Sequence, residues 1–130
     1  MLSINNFTRF GNNIYTFTYT LGDIKYSSAI CFSEPSTEQL FEQLFPAIRE
    51  TLIWLESNTE SIKKQVGKNL PQGVDIEFFE TLHIASFSLF VDVIENNLLT
   101  INIAYGDSNN DIYILSSIKN KEVSEVSLNT

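Results

Sequence analysis

The chain has 130 residues, and its composition (43% hydrophobic, 12% aromatic) is that of one folded domain and argues against a disordered chain. Sixteen acidic residues against eight basic ones give a formal net charge of −8. Because such a surface repels phosphate backbones, we expect no direct binding to DNA or RNA.

Three features of the sequence indicate the cellular compartment. The N-terminus has no apolar run behind a basic start, so we expect no signal peptide. The most apolar stretch, residues 84–94, is too short to span a bilayer and contains Asp92. A single cysteine, Cys31, cannot form an internal disulfide, which suits a reducing compartment. We expect a cytoplasmic protein with no contact to membranes, folded as a single domain over residues 1–130.

Residues 14–32 predict a β-hairpin. Aromatic or aliphatic residues alternate with threonine over 14–21, which is the period of a half-buried strand. Gly22 and Asp23 then fit a two-residue turn with glycine first. A short edge strand is expected before it, at 7–10. This turn pairs Leu21 with Ile24, Tyr19 with Tyr26, Tyr15 with Ile30, Thr20 with Lys25 and Thr18 with Ser27.

Helix is predicted over most of residues 36–69, in two or three pieces. Apolar residues recur there at helical spacing, and Ser36 with Gln39 forms a capping box at the start. Pro46 lies inside the pattern, and because proline lacks an N–H and crowds the preceding turn, we expect a kink or a break there.

Two further helical signals follow. Ser57 with Glu60 forms a second capping box, which predicts a new helical start. Residues 74–82 predict a short helix that carries Ile76 and Phe79.

The C-terminal part predicts an antiparallel meander. Residues 85–93 alternate again, and 95–97 fit a three-residue loop with Asn97 in the left-handed region. Strands at 112–118 and 122–128 complete it. The three-residue loop pairs Val93 with Leu99, Val91 with Ile101, Leu89 with Ile103 and Phe87 with Tyr105. The expected class is α+β: an antiparallel sheet, made of the N-terminal hairpin and the C-terminal meander, with the central helices on one face.

The segment "YGDSNNDIY" carries alternating oxygen-bearing side chains. Asp107, Asn109 and Asp111 match the first three ligand positions of a helix–loop–helix calcium site. Ile112 stands where such a loop needs glycine, and Ile118 stands where it needs a bidentate carboxylate. We therefore interpret the segment as a polar hairpin loop that brings negative charge to the rim of the sheet.

The sequence contains few residues arranged as known catalytic motifs require. His83 is the one histidine, and Glu80 three residues earlier would need further carboxylates to make a metal site. We interpret His83 as a boundary residue between helix and strand, and Cys31 as a buried structural thiol. The sequence has no Gly-rich phosphate loop, no Cys–His zinc pattern and no nucleophile elbow. We expect no catalysis, cofactor or metal.

Two features of the helical region have more than one interpretation. Trp54 is expected in the core, with an exposed interface anchor as the alternative. Lys63, Lys64 and Lys68 form a small basic spot that is expected to face solvent.

The order of elements resembles a group of uncharacterised bacterial αβ domains. The segments "RFGNNIYTFTYTLGDIKYSSAICFSE" and "IEFFETLHIASFSLF" are similar to its opening hairpin and its middle segment, with Glu77, Phe78 and Leu82 at matching places. "YGD" resembles its acidic strand-end motif, but the Gly-His pair that usually follows is not present here. The resemblance implies toxin neutralisation by binding, because members look like immunity proteins of polymorphic toxin systems.

These observations favour a non-catalytic, acidic protein-binding domain, with a basic protein such as a bacterial toxin as its partner. The residues expected to bind it are Asp107 and Asp111 on the loop, with Glu77 and Glu80 on the short helix. The alternatives are a small acidic chaperone of secretion, acting as a dimer, and an enzyme with a pocket near His83. The oligomeric state is left open.

Overall fold

The computed structural model describes residues 2–107, 109 and 111–129. Within these residues it has seven β-strands and two α-helices, preceded by a 3-10 turn at Ile4–Asn6. In chain order they are β1 (Thr8–Phe10), β2 (Ile14–Leu21), β3 (Ile24–Phe32), α1 (Glu38–Gly67), α2 (Ile76–Glu80), β4 (His83–Asp92), β5 (Leu98–Gly106), β6 (Tyr113–Lys119) and β7 (Glu122–Asn129). Neither of these helices is long and apolar enough to cross a membrane.

The strands form one sheet whose spatial order follows the chain from β1 to β7. Every neighbouring pair is antiparallel except β3 and β4, which are parallel. Because parallel neighbours need a long crossover, α1 and α2 connect them across one face of the sheet. The predicted α+β class, with hairpin, meander and helices on one face, is confirmed.

The core lies between α1 and the face of the sheet that it covers. Alternate residues of β2 to β6 point into it, and they meet the apolar stripe of α1. The helix contributes Phe41, Phe45, Ile48, Leu52, Leu55, Ile62 and Val66 to this buried set. The other face carries mainly Thr, Ser, Ala and Asn side chains and is uncovered by any helix of the described chain.

Helix α1 begins one residue later than the predicted capping box at Ser36. Its N-cap is Thr37, whose hydroxyl accepts a hydrogen bond from the N–H of Leu40 at 3.1 Å. Ser36 is held by the β1–β2 region instead. The N–H of Ser36 donates to the carbonyl of Asn12 at 2.8 Å, and Arg9 Nη2 donates to the carbonyl of Ser36 at 2.6 Å.

The kink expected at Pro46 is wrong, because α1 continues through that residue and leaves helical geometry at Asn58 (φ −127°, ψ 17°). Pro46 is exposed, and so is Glu42, whose carbonyl loses its helical partner to the proline. At Asn58 the side-chain Nδ2 donates to the carbonyl of Trp54 at 2.8 Å, which stabilises the irregular turn. This break lies one residue after Ser57, where the second capping box predicts a new start.

The predicted register of β4 against β5 is wrong by two residues. Val93 was expected opposite Leu99, but the structure pairs Asp92 with Leu98 and leaves a five-residue turn at 93–97. Because side chains alternate between faces, a shift of two keeps every apolar residue on its own face. Apolar patterning therefore cannot distinguish the two registers.

The turn chemistry explains the longer connection. The carboxylate of Asp92 accepts from the N–H groups of Ile94 and Glu95, at 3.2 and 3.3 Å. Asn96 and Asn97 are both in the left-handed region, with φ of 55° and 59°. The expected left-handed Asn97 is thus confirmed, in a turn two residues longer.

Candidate functional site

The acidic side chains that the sequence singles out share one end of the sheet. β4 begins at His83, which pairs with Gly106 at the end of β5. Helix α2 ends at Glu80, three residues before His83, and Asp107 directly follows Gly106. The short helix and the β5–β6 loop, which carry all four predicted binding residues, therefore lie at the same end of the sheet.

Two further carboxylates at this end were not identified from the sequence. Asp23 lies in the β2–β3 turn, beside the start of β4, because β3 runs parallel to that strand. Tyr26 holds the start of β3 close to the start of β4, since its hydroxyl donates to the carbonyl of Ile84 at 2.8 Å. Asp75 precedes α2 as its N-cap. We call this surface the acidic end. Its carboxylates belong to Asp23, Asp75, Glu77, Glu80, Asp107 and Asp111.

Charge is distributed unequally between the two ends of the sheet. The three segments of the acidic end, 21–24, 74–84 and 105–113, contain six carboxylates and no lysine or arginine. The turns at the opposite end mix both signs, so their charges nearly cancel. The opposite end carries Arg9, Lys119 and Lys121 together with Glu34, Asp92, Glu95 and Glu122. The connecting segments of the acidic end therefore carry the larger negative charge, and Lys63, Lys64 and Lys68 of α1, which line a pocket with Glu80, offset part of it.

Two exposed isoleucines lie at this end, and the pocket that Ile76 lines also contains Lys63, Lys64 and Lys68. Ile24 is 53% exposed and follows Asp23, while Ile76 is 44% exposed and lies between Asp75 and Glu77. Apolar side chains surrounded by charge are the usual composition of a protein-binding surface, in which the apolar groups anchor and the charges orient.

Helix α2 has only five residues, so contacts outside the helix must hold it. The carboxylate of Asp75 accepts from the N–H of Glu77 at 3.2 Å. Phe79 is 1% exposed, and its ring lies 5.2 Å from that of Tyr105 in β5. This aromatic contact fixes the position of the two glutamates relative to the sheet.

Lys63 of α1 holds the other end of α2. Its ammonium group donates to the carbonyl oxygens of Glu80 and Leu82, at 3.1 and 2.6 Å. Burial lowers the pKa of Lys63, and the carboxylate of Glu80 acts in the opposite direction. The expectation that this lysine only faces solvent is therefore corrected.

The β5–β6 loop is partly ordered by its own first residue. The carboxylate of Asp107 accepts from the N–H of Asn109 at 3.2 Å, and Asp111 is exposed. Ser108 and Asn110 lie outside the described residues. Across 2–107, 109 and 111–129, no group of three or more His, Cys, Asp or Glu side chains lies close enough together to hold a metal ion.

His83 is the first residue of β4, which confirms its position at the boundary between helix and strand. It is exposed and lines a cavity of about 240 Å³ between α1 and the start of β4. Glu60, Lys63 and Tyr105 line the same cavity. The enzyme hypothesis requires a pocket at this place.

The other residues considered from the sequence lie elsewhere. Trp54 is half-buried against the core and lines a groove of about 260 Å³ at the opposite end, between α1 and the β6–β7 turn. Cys31 is half-buried, not buried as expected. It alternates with Ile30 and Phe32, which face α1, so its side chain lies on the uncovered face.

We expect stability to fall in alkaline solution because three tyrosine hydroxyls resist ionisation in the folded state. Burial, followed by a hydrogen bond to Glu56, raises the pKa of Tyr19 to about 12, and burial raises the pKa of Tyr26 and Tyr105. The unfolded chain loses these protons near pH 10, so this stabilising contribution is complete below pH 10 and is lost as the pH rises toward the folded-state values.

Urea midpoints measured at pH 9, 10.5 and 11.5 test this, and they should fall over the upper interval. The lowered pKa of Lys63 acts in the opposite direction, and its effect fades above its ordinary value of 10.5, where the unfolded chain also loses this proton. Tyr19→Phe should reduce the fall. A midpoint that stays constant up to pH 11.5 would contradict the expectation.

The fold and the site together define an α+β domain in which one end of the sheet carries six carboxylates and two exposed isoleucines. Comparisons with protein-family models, with curated proteins and with solved structures found no match. The resemblance to immunity proteins therefore stays a hypothesis.

Proposed function

We propose that this protein is a non-catalytic binding domain that neutralises or escorts a basic partner protein, such as a bacterial toxin, in the manner of an immunity protein. The observation that carries the proposal is the convergence of separate segments. A turn, a short helix and a loop far apart in the chain bring six carboxylates and two exposed isoleucines to one end of the sheet.

Electrostatics supports a basic partner. Clustered charge of one sign raises the rate of encounter with the opposite sign and disfavours partners of like charge. A basic segment that reaches the acidic end would also meet Ile24 and Ile76, whose burial adds roughly 25 cal/mol per Å² of apolar area. Charge then provides orientation and the isoleucines provide much of the affinity.

The main test combines partner capture with a charge-neutral variant. Tagged protein is used to isolate partners from the native lysate, and the affinity of the captured protein is then measured for the variant Glu77→Gln, Glu80→Gln, Asp107→Asn, Asp111→Asn. Four pairs at the rim of an interface, each worth ~0.2–1 kcal/mol, predict a loss between about fourfold and several hundredfold at low salt. The loss should shrink as salt screens the charges.

A matched control removes the same amount of charge elsewhere. Glu34, Glu42, Glu95 and Glu122 are all exposed and lie away from the acidic end, and their replacement by glutamine also changes the net charge by four. This control variant should keep most of the affinity. Equal losses in the two variants would show that only net charge matters, and an acidic partner would contradict the proposal.

An enzyme is the second candidate, because the cavity beside His83 is where that hypothesis requires one. Mixing the purified protein with the captured partner distinguishes the two. A binding protein forms a stable stoichiometric complex and leaves the partner chemically unchanged by mass spectrometry. A covalent change in the partner would support the enzyme and contradict the binder.

A further inference from the structure

A pocket of about 550 Å³ lies between the C-terminal turns of α1 and the short helix α2. Both of its walls are helical, because its lining consists of residues from 60–68 and 76–80. The volume falls within the ~300–1,000 Å³ that is typical of small-molecule sites. The proposed interaction with a basic partner does not use the lysines of this pocket.

Gly67 allows the two helices to approach each other at the floor of the pocket. A Cβ atom at this position would lie 3.0 Å from Cδ1 of Ile76 and 3.7 Å from the ring of Phe79, so a larger residue would push α2 away. Phe79 is 1% exposed, whereas Ile76 leaves 44% of its surface open. Ile76 and the Cα atom of Gly67 therefore give the pocket an apolar surface that a ligand is able to reach.

Three lysines border this apolar floor, and they are three of only eight basic residues in a chain whose formal net charge is −8. Lys63 is already engaged, because its ammonium group donates to two carbonyl oxygens and lies 5.6 Å from the centre of the Phe79 ring. Lys64 and Lys68 are both exposed and lie one helical turn apart on the same side of α1, where like charges repel each other. An anion near both ammonium groups relieves that repulsion.

The acidic residues of the lining do not cancel this positive charge. Glu60 and Glu80 supply two carboxylates against three ammonium groups, which leaves a formal excess of one positive charge. The stems of Lys64 and Lys68 add methylene groups to the apolar surface, while their charged ends stay in water. Such a pocket is complementary to an anion that has an apolar body.

A single molecule fits this arrangement better than a membrane does. Asp75 and Glu77 flank Ile76 in the chain, and they belong to the six carboxylates of the acidic end. An anionic bilayer that approached the pocket would meet these carboxylates and be repelled, whereas a molecule inside the pocket meets the lysines. The volume equals the liquid share of about 18 water molecules at ~30 Å³ each, which is room for a chain of about eight carbon atoms.

We propose that the pocket between α1 and α2 binds a free single-chain fatty acid. Its hydrocarbon chain lies against Ile76 and Gly67, and its carboxylate is held by the charges of Lys64 and Lys68. The proposal does not depend on the partner protein, because the groups that hold the ligand are not the carboxylates that attract a basic partner.

Octanoate is the probe, and its titration is followed by two-dimensional amide NMR. We expect a Kd of about millimolar, given the size of the ligand, with the shifted amides at 60–68 and 76–80. Octanol has the same chain without the charge, and it should shift the same amides.

The decisive variant is Lys64→Gln, Lys68→Gln, which keeps good helix formers and removes the two exposed charges. Two exposed ion pairs predict that octanoate binds between about twofold and thirtyfold more weakly, while the affinity for octanol stays unchanged. The matched control is Lys25→Gln, Lys119→Gln, since both lysines are exposed and lie outside the pocket lining. It changes the net charge equally and should bind octanoate normally.

Three results would overturn the proposal. They are equal losses of octanoate affinity in the two double variants, shifts confined to segments outside the pocket, and no shift at about 20 mM octanoate. Binding to vesicles of anionic phospholipid without binding to octanoate would also overturn it, since the pocket would then belong to a membrane-binding surface.

Discussion

Replacing Leu52 by alanine will lower the free energy of unfolding by about 2–5 kcal/mol, a large part of the total for a domain of this size. Leu52 lies near the middle of α1 and is 0% exposed. It belongs to the stripe that meets the sheet, so its removal leaves a cavity that neither the helix nor the strands can close. Urea unfolding, followed by the fluorescence of Trp54 two residues away, measures the change.

The neighbouring residue provides the control. Ile53 is 49% exposed on the same helix, and Ile53→Ala should cost less than about 1 kcal/mol. Both variants shorten a large aliphatic residue within one turn of each other, so helix propensity alone would predict similar effects. Similar losses in the two would mean that α1 does not pack on the sheet through the face described above.

The sequence allows the N-terminal hairpin to be predicted in detail because its determinants are local. Gly22 has a positive φ of 62° in the turn, as the two-residue connection requires. The turn and the alternation of residue types independently select one register, and the structure has it, from Leu21–Ile24 to Tyr15–Ile30. The edge strand before it and the two strands at the C-terminus are also confirmed.

Where two interpretations satisfy the same pattern, sequence reasoning failed. The β4–β5 register differs by two residues because both registers keep the apolar residues inward, and Asp92 decides between them through bonds to the turn. Proline is a strong helix-breaking signal, but its effect depends on which side of the helix it occupies, and Pro46 is on the exposed side. Exposure follows from tertiary packing, which no local pattern contains.

The sequence allowed four residues of the candidate site to be predicted, but it did not allow their relative positions to be predicted. Glu77, Glu80, Asp107 and Asp111 were each recognised as acidic residues of connecting segments. That they meet depends on the β4–β5 pairing, and the place of Asp23 depends on the parallel pairing of β3 with β4. That parallel contact joins residues about 60 positions apart, and it explains why the cavity beside His83 could not be described from the sequence.

We expect Phe79→Ala to lower the free energy of unfolding strongly and also to disorder α2, which carries two of the proposed binding residues. Removal of a buried phenylalanine costs about 3–5 kcal/mol. Five residues are far too few to stay helical without an anchor. We therefore expect hydrogen exchange to lose its protection at 76–82 first, while amides in the centre of the sheet stay protected relative to them.

The same variant separates local anchoring from general loss of stability. Ile76→Ala shortens a half-exposed side chain that lies beside Phe79 against Gly67 of α1, so it should raise exchange at 76–82 and lower stability less than Phe79→Ala does. In Phe79→Ala the two glutamates become mobile, so a partner must order them on binding, at roughly 1–2 kcal/mol per residue fixed. Its affinity for the partner should fall even where the rest of the domain remains folded. Unchanged affinity together with lost protection would show that α2 lies outside the interface and that the loop aspartates alone carry the contact.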